Sequence, residues 1–288
     1  MAFEKKNHHY VPQFWQRGFR AADNTLYGRF GARVAPVSSR KIMQQDWAYT
    51  IFDQYWTPSD DLENALSVQE GYAAPVFERL CTPGAFATKI EREGLCSFLA
   101  LQSCRHPDVM GRGHRRGREL GEFFANVHAY GTAADFAVEL ADFGLGSSEA
   151  DAIYQVLKAV APQQLRIELN ELLSLSPQDP QLPQQEALLA QPQIATAIDA
   201  MTLTLLDAPA GEQFVLGDTP MPQSDLSHGF IVPLSKSVAL KAVPSSSSQA
   251  SIGRRTATVA EVTEANREQW NCAMYVVIGA DKAVLQAL

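Results

Sequence analysis

The spacing of apolar residues switches period between the middle of this 288-residue chain and the part beyond residue 200, and no single motif constrains the fold as strongly. From about residue 60 to residue 174 apolar positions recur every three to four residues, the stripe of an amphipathic helix. Leu62, Leu66, Ala73, Phe77 and Leu80 form one such run, with Asp60 and Asp61 placed to cap it and Pro75 placed to kink or break it. Further helices are expected at about 91–105, 115–130, 133–143, 148–160 and 162–174. Beyond residue 200 the pattern becomes short apolar runs between turn residues. Met201–Leu206 and Gln213–Leu216, separated by Pro209-Ala210-Gly211, read as a β-hairpin, followed by strands at Phe230–Pro233 and Val238–Val243. Helices gathered in one stretch and strands in another predict an α+β fold, a helical middle packed against a small antiparallel sheet.

The chain is expected to form a single domain over 1–288. Residues 1–58 hold a short helix and strands near Thr25–Phe30 and Arg33–Val37, and residues 59–175 form the helical block. Residues 176–193, rich in Pro and Gln, form a linker, and residues 194–288 carry the sheet and a helix from Val259 to about Cys272. Tyr275–Ile278 fits either the end of that helix or a last strand, and Ser245–Ser248 reads as a loop. With 46% apolar and 19% charged residues the composition is that of a globular protein. No run approaches the roughly 20 apolar residues of a membrane span, and MAFEKKNHHY lacks an apolar leader core, so no membrane and a cytoplasmic location are expected. The four cysteines show no zinc or disulfide spacing and read as free thiols.

The net charge of -8 argues against a general nucleic-acid-coating protein, but it hides an asymmetry. Residues 1–41 carry eight basic side chains against Glu4 and Asp23, and Arg105 to Arg118 carries five arginines against Asp108. Should the two islands meet, they would attract an anion of small footprint such as a phosphate-bearing ligand.

Three constellations could carry chemistry. In Asn7-His8-His9-Tyr10-Val11-Pro12-Gln13-Phe14-Trp15-Gln16-Arg17, Pro12 favours a helix start, which leaves both histidines extended just ahead of a helix N-terminus. That end favours anions and the neutral histidine a general base requires. Gln13 and Arg17 share one face of the helix, and Phe14, Trp15 and Phe19 can anchor another. On the helix ending at Arg105, Gln102 falls within the apolar stripe and Arg105 at its edge. A buried arginine needs an anion, either a ligand or one of Glu63, Glu70 and Asp218. The third constellation, Phe214 to Pro220, ends a strand in a turn where Asp218 can accept bonds from backbone N–H groups or orient a histidine. The His-His-x-Val-Pro start is also similar to that of His-Asn-His nucleases. Those sites need a metal-binding histidine on a following helix, yet the next histidine after His9 is His106.

Taken together, NHHYVPQFWQRGF, Asp46 to Thr50, Leu62-Glu63 with Glu70, Phe98 to Arg105, Phe214 to Pro220, Pro233-Leu234-Ser235 and Asn266 resemble a family. It is a widespread domain-of-unknown-function family of mostly microbial proteins that opens on His-His-Tyr-Val-Pro-Gln-Phe. His106 stands where that family usually has threonine, and Leu216-Gly217 where it has Thr-Ser. The resemblance implies the residues to test and, by association, a role in bacterial defence or toxicity.

Two functions are expected from these residues. One is a hydrolase or transferase, such as a metal-independent nuclease, acting on RNA or a phosphate-bearing small molecule. In it His8, His9, Asp218 and Glu70 are the catalytic set, Gln13, Arg17, Gln102 and Arg105 hold the phosphate, and neither metal nor cofactor takes part. The other is a non-catalytic module, binding a ligand or a protein partner, whose polar motif residues are structural.

Overall fold

A computed structural model describes residues 7–46, 48–52, 58–107, 119–143, 147–172, 188–222, 226–245 and 251–288. In chain order the strands and α-helices are β1 (Asn7–His9), α1 (Gln13–Arg17), β2 (Tyr27–Phe30), β3 (Arg33–Pro36), β4 (Gln44–Asp46), β5 (Ile51–Phe52), β6 (Pro58–Ser59), α2 (Asp61–Leu80), α3 (Lys89–Cys104), α4 (Ala133–Leu140), α5 (Ser147–Lys158), α6 (Pro162–Leu172), α7 (Gln191–Asp199), β7 (Thr202–Asp207), β8 (Leu216–Gly217), β9 (Phe230–Pro233), β10 (Val238–Val243), β11 (Gly253–Thr256), α8 (Val259–Cys272), β12 (Val277–Gly279) and α9 (Lys282–Ala287). The fold class is α+β. These elements gather into two compact units, Met1–Val109 with Leu188–Leu288, and Met110–Ala187.

The first unit is built on two four-stranded sheets. In one, of order β11-β7-β10-β9, β10 is antiparallel to both neighbours while β11 runs parallel to β7. Strand β7 alternates as period 2 requires, with Leu203 and Leu205 fully buried and Thr202 and Thr204 partly open. The other sheet, β3-β2-β12-β8, is antiparallel throughout. Helix α3 starts on a full capping box, Thr88 and Glu91 bonding each other's backbone N–H, and packs against α2 and α7. Four rings lock α1 to α2 and α3. Phe14, Trp15, Phe77 and Phe98 lie with ring centroids between 5.2 Å (Phe77–Phe98) and 5.7 Å (Trp15–Phe98) apart, at edge or tilted angles.

The second unit is helical. Phe136 of α4 stacks on Phe123 at 4.7 Å and, with Val127, Leu140, Tyr154 and Leu165, fills a core of its own.

Several expectations change. The hairpin joining 201–206 to 213–216 does not form: β10 and β11 flank β7, and β8 pairs with β12 in the other sheet. The backbone of 213–220 is held instead by α8, where Asn266 accepts from Val215 N–H and donates to the Gln213 carbonyl (2.9 and 2.8 Å). Gln269 likewise accepts from Gly217 N–H and donates to the Pro220 carbonyl (2.9 and 3.1 Å). Asp60 occupies the N-cap of α2 but its side chain makes no cap bond, and α2 runs continuously past Pro75. Residues 191–199, expected to begin in the linker, form helix α7, with Pro192 in its first turn where a missing N–H costs nothing. Tyr275–Ile278 resolves toward the strand reading in β12. Residues 176–187 of the expected linker and 246–248 of the expected serine loop lie outside the described residues.

Candidate functional site

Strand β1 pairs with β4, His8 opposite Gln45 and His9 opposite Gln44, which turns the two histidines to opposite faces. His8 is fully buried. Its Nδ1 accepts the Tyr49 backbone N–H at 2.8 Å, so the proton of the neutral ring sits on Nε2, and the ring lies parallel to that of Tyr49 with centroids 5.6 Å apart. His9 is half-buried, and its Nε2 donates to the Ser39 carbonyl at 3.0 Å. Burial holds its pKa below the ordinary histidine value, aided by the charges of Arg105 and Arg17, while the Ser39 bond pulls the other way.

Arg105 closes α3, and its guanidinium reaches back across the motif. Nη1 donates to Glu70 Oε1 at 2.7 Å, Nη2 to the His9 carbonyl at 2.6 Å and Nε to the Tyr49 hydroxyl at 3.3 Å, while that hydroxyl donates to the Arg105 carbonyl at 2.8 Å. Gln102, with its amide oriented to suit its neighbours, accepts from Nη1 (3.3 Å) and donates to the Tyr10 carbonyl (3.1 Å). Only 1% of Arg105 is exposed, against 26% of the Glu70 side chain. Burial opposes its charge, but Tyr49 and Glu70 outweigh burial and raise its pKa. Of the three anions open to Arg105 in the sequence, Glu70 is its ion-pair partner.

Asp218 is spent elsewhere. Its carboxylate accepts the backbone N–H groups of Met274 (2.8 Å), Tyr275 (2.8 Å) and Val276 (3.1 Å), a clamp on the turn into β12. Burial raises its pKa against those three bonds and the nearby His106. Thr219 lies 3.4 Å from His106 Nε2, and His106 meets the Tyr10 ring edge to face at 5.0 Å.

The structure therefore brings His8, His9, Glu70, Gln102 and Arg105 together around Tyr49 and Tyr10, and Asp218 borders that cluster through Thr219 and His106. Gln13 and Arg17 stand apart. Arg17 Nη2 donates to Gln13 Oε1 at 3.3 Å on the exposed side of α1, and Arg17 borders a cleft of about 590 Å³ between α1, α2 and the turn 234–237. Arg112, Arg115, Arg116 and Arg118, the rest of the second basic island, lie outside the described residues. Among the described residues no group of three His, Cys, Asp or Glu side chains comes together as metal ligands.

A model of the proteins of unknown function DUF4238 matches residues 7–283. The chain belongs to that family. The match takes in β1, the polar cluster around Arg105 and the Asp218 clamp, and stops within α9. No curated protein and no solved structure matches the chain. Among the described residues no helix is long and apolar enough to cross a membrane.

The roles of Tyr49, Tyr10 and Gln269 are not legible in the sequence. Tyr49 sits in an aromatic stretch without period, and Gln269 gains its role only because α8 passes behind β8.

Proposed function

We propose that this DUF4238 protein is a non-catalytic binding module, whose His-His-Tyr-Val-Pro-Gln-Phe opening, read as the family's signature, is structural cement. One observation carries this reading: Arg105, the residue best suited to grip a phosphate at the motif, is sealed from solvent and engaged by Glu70, Tyr49, Gln102 and the His9 carbonyl. A sealed guanidinium with its charge neutralised and four of its five N–H donors engaged is badly placed to stabilise a developing charge on substrate. His8 and Asp218 point the same way, since each spends its acceptors on backbone N–H groups.

Stability and turnover measured on the same variants test the reading. Arg105→Met removes the cation and leaves Glu70 without its partner, which is expected to cost about 3–5 kcal/mol in urea unfolding, the range for breaking a buried pair. Wild-type protein is expected to leave RNA and nucleotides chemically unchanged. Hydrolysis or group transfer that disappears in His9→Ala while stability is retained would overturn the proposal in favour of the hydrolase or transferase reading, with its place in bacterial defence.

A further inference from the structure

We infer that the cleft beside α1 is the ligand site of this module and takes a small phosphate-bearing molecule with a flat apolar body. This rests on the binding-module reading and says where the binding happens.

The cleft is built by bolting two sequence motifs together. Trp15 Nε1 donates to the Pro233 carbonyl at 2.9 Å, Lys236 N–H to the Gly18 carbonyl at 3.1 Å, and Lys236 Nζ to the Arg20 carbonyl at 2.8 Å. Gly18 permits this approach. A Cβ there would lie 3.3 Å from both the Leu234 carbonyl and Ser235 Cβ, tighter than ordinary packing. The helix after the histidines and the turn after Pro233 thus become adjoining walls of one cavity, with α2 as its third side.

Its lining divides by chemistry. Phe14 and Ala74, half-buried, line the cavity over the nearly fully buried Phe77 and Leu234, and Phe14, which meets Phe77 edge to face at 5.4 Å, offers an apolar surface to a flat ring. Arg17 and Lys236 both line this cavity, and Lys236, its ammonium held on the Arg20 carbonyl, also lines a second cleft with Ala21 and Asp23. Unlike Arg79, Arg92, Arg105 and Arg254, neither forms an ion pair with a carboxylate among the described residues; their bonds go to the neutral Gln13 amide and Arg20 carbonyl. Two cations outside any ion pair among the described residues suit a dianionic phosphate better than a single carboxylate. Ser235 and Ser237 add hydroxyls. Glu78, the acidic member of the lining, repels a second phosphate and can accept a hydrogen bond from a donor on the ligand's body, which favours a monophosphate. A volume of about 590 Å³ is of small-molecule size.

Isothermal titration at near-physiological salt, using AMP, adenosine and inorganic phosphate as separate probes, tests the site. AMP is expected to bind saturably and at least tenfold more tightly than either fragment, because the charged and apolar walls act together. Arg17→Ala is expected to weaken AMP at least tenfold with an unchanged melting temperature, since Arg17 is exposed; Lys236→Gln is the second variant. No saturable AMP binding, AMP binding indifferent to Arg17→Ala, or phosphate binding as tightly as AMP would each overturn the inference. Turnover of bound AMP would instead sink the non-catalytic reading and leave the cleft standing, so the two failures are distinguishable.

Discussion

At the scale of single residues, adjacent histidines have separate fates because a strand sends neighbours to opposite faces. His8 goes into the core, whereas His9 keeps partial access and a pKa held below the ordinary histidine value, chiefly by burial. The folded protein therefore binds fewer protons at His9 than the unfolded chain does, between the unfolded pKa near 6.5 and the lower folded one. Stability from this group is complete above the unfolded value and falls as the pH drops through that window. Glutamine at position 9 cannot titrate but can still donate to the Ser39 carbonyl. Lowering the pH from about 7.5 to about 5 is thus expected to reduce the urea midpoint of wild type by more than that of His9→Gln. An equal reduction in both would show that protonation of His9 is not linked to folding.

At the scale of elements, β8 shows why a two-residue strand can be held firmly. Its backbone pairs with β12 on one side, while Asn266 and Gln269 of α8 stand in for the missing neighbour along 213–220. Gly217 makes this approach possible, because a Cβ at that position would lie 2.7 Å from the Gln269 carbonyl oxygen. Gly217→Ala is expected to cost about 1–3 kcal/mol through overpacking. Asn266→Ala orphans one N–H and one carbonyl, each worth about 1–3 kcal/mol where buried. Urea unfolding of both variants is the check, and wild-type stability in Asn266→Ala would mean that water replaces the side chain. The same residues mark the limit of what the sequence discloses. Strands β9 and β10 and helices α2, α3 and α8 were legible because burial imposes a period on their own residues. The partner of 213–217 was not, because no local pattern encodes a helix side chain arriving from fifty residues away. Likewise the stripe on α3 identified Arg105 as an arginine needing an anion, and Glu70 was among three possible partners, but Tyr49 became visible only in three dimensions.

At the scale of the whole molecule, the polar cluster and the cleft belong to the first unit, whose two segments are separated in sequence by the second. The second unit has its own core, in which Phe136 is fully buried and touches Phe123, Tyr130 and Tyr154. A core that shares no residue with the first can lose stability without carrying the rest along. Phe136→Ala is expected to cost about 3–5 kcal/mol, the range for emptying a buried aromatic site. Hydrogen exchange locates the loss: amides of α4, α5 and α6 are expected to lose protection, while those of β7 and β10 keep wild-type values. Arg105→Met is expected to give the converse pattern. Were Phe136→Ala to deprotect β7 and β10 to the same degree, the two units would unfold as one cooperative body, and the ligand cleft would depend on the helical unit for its stability.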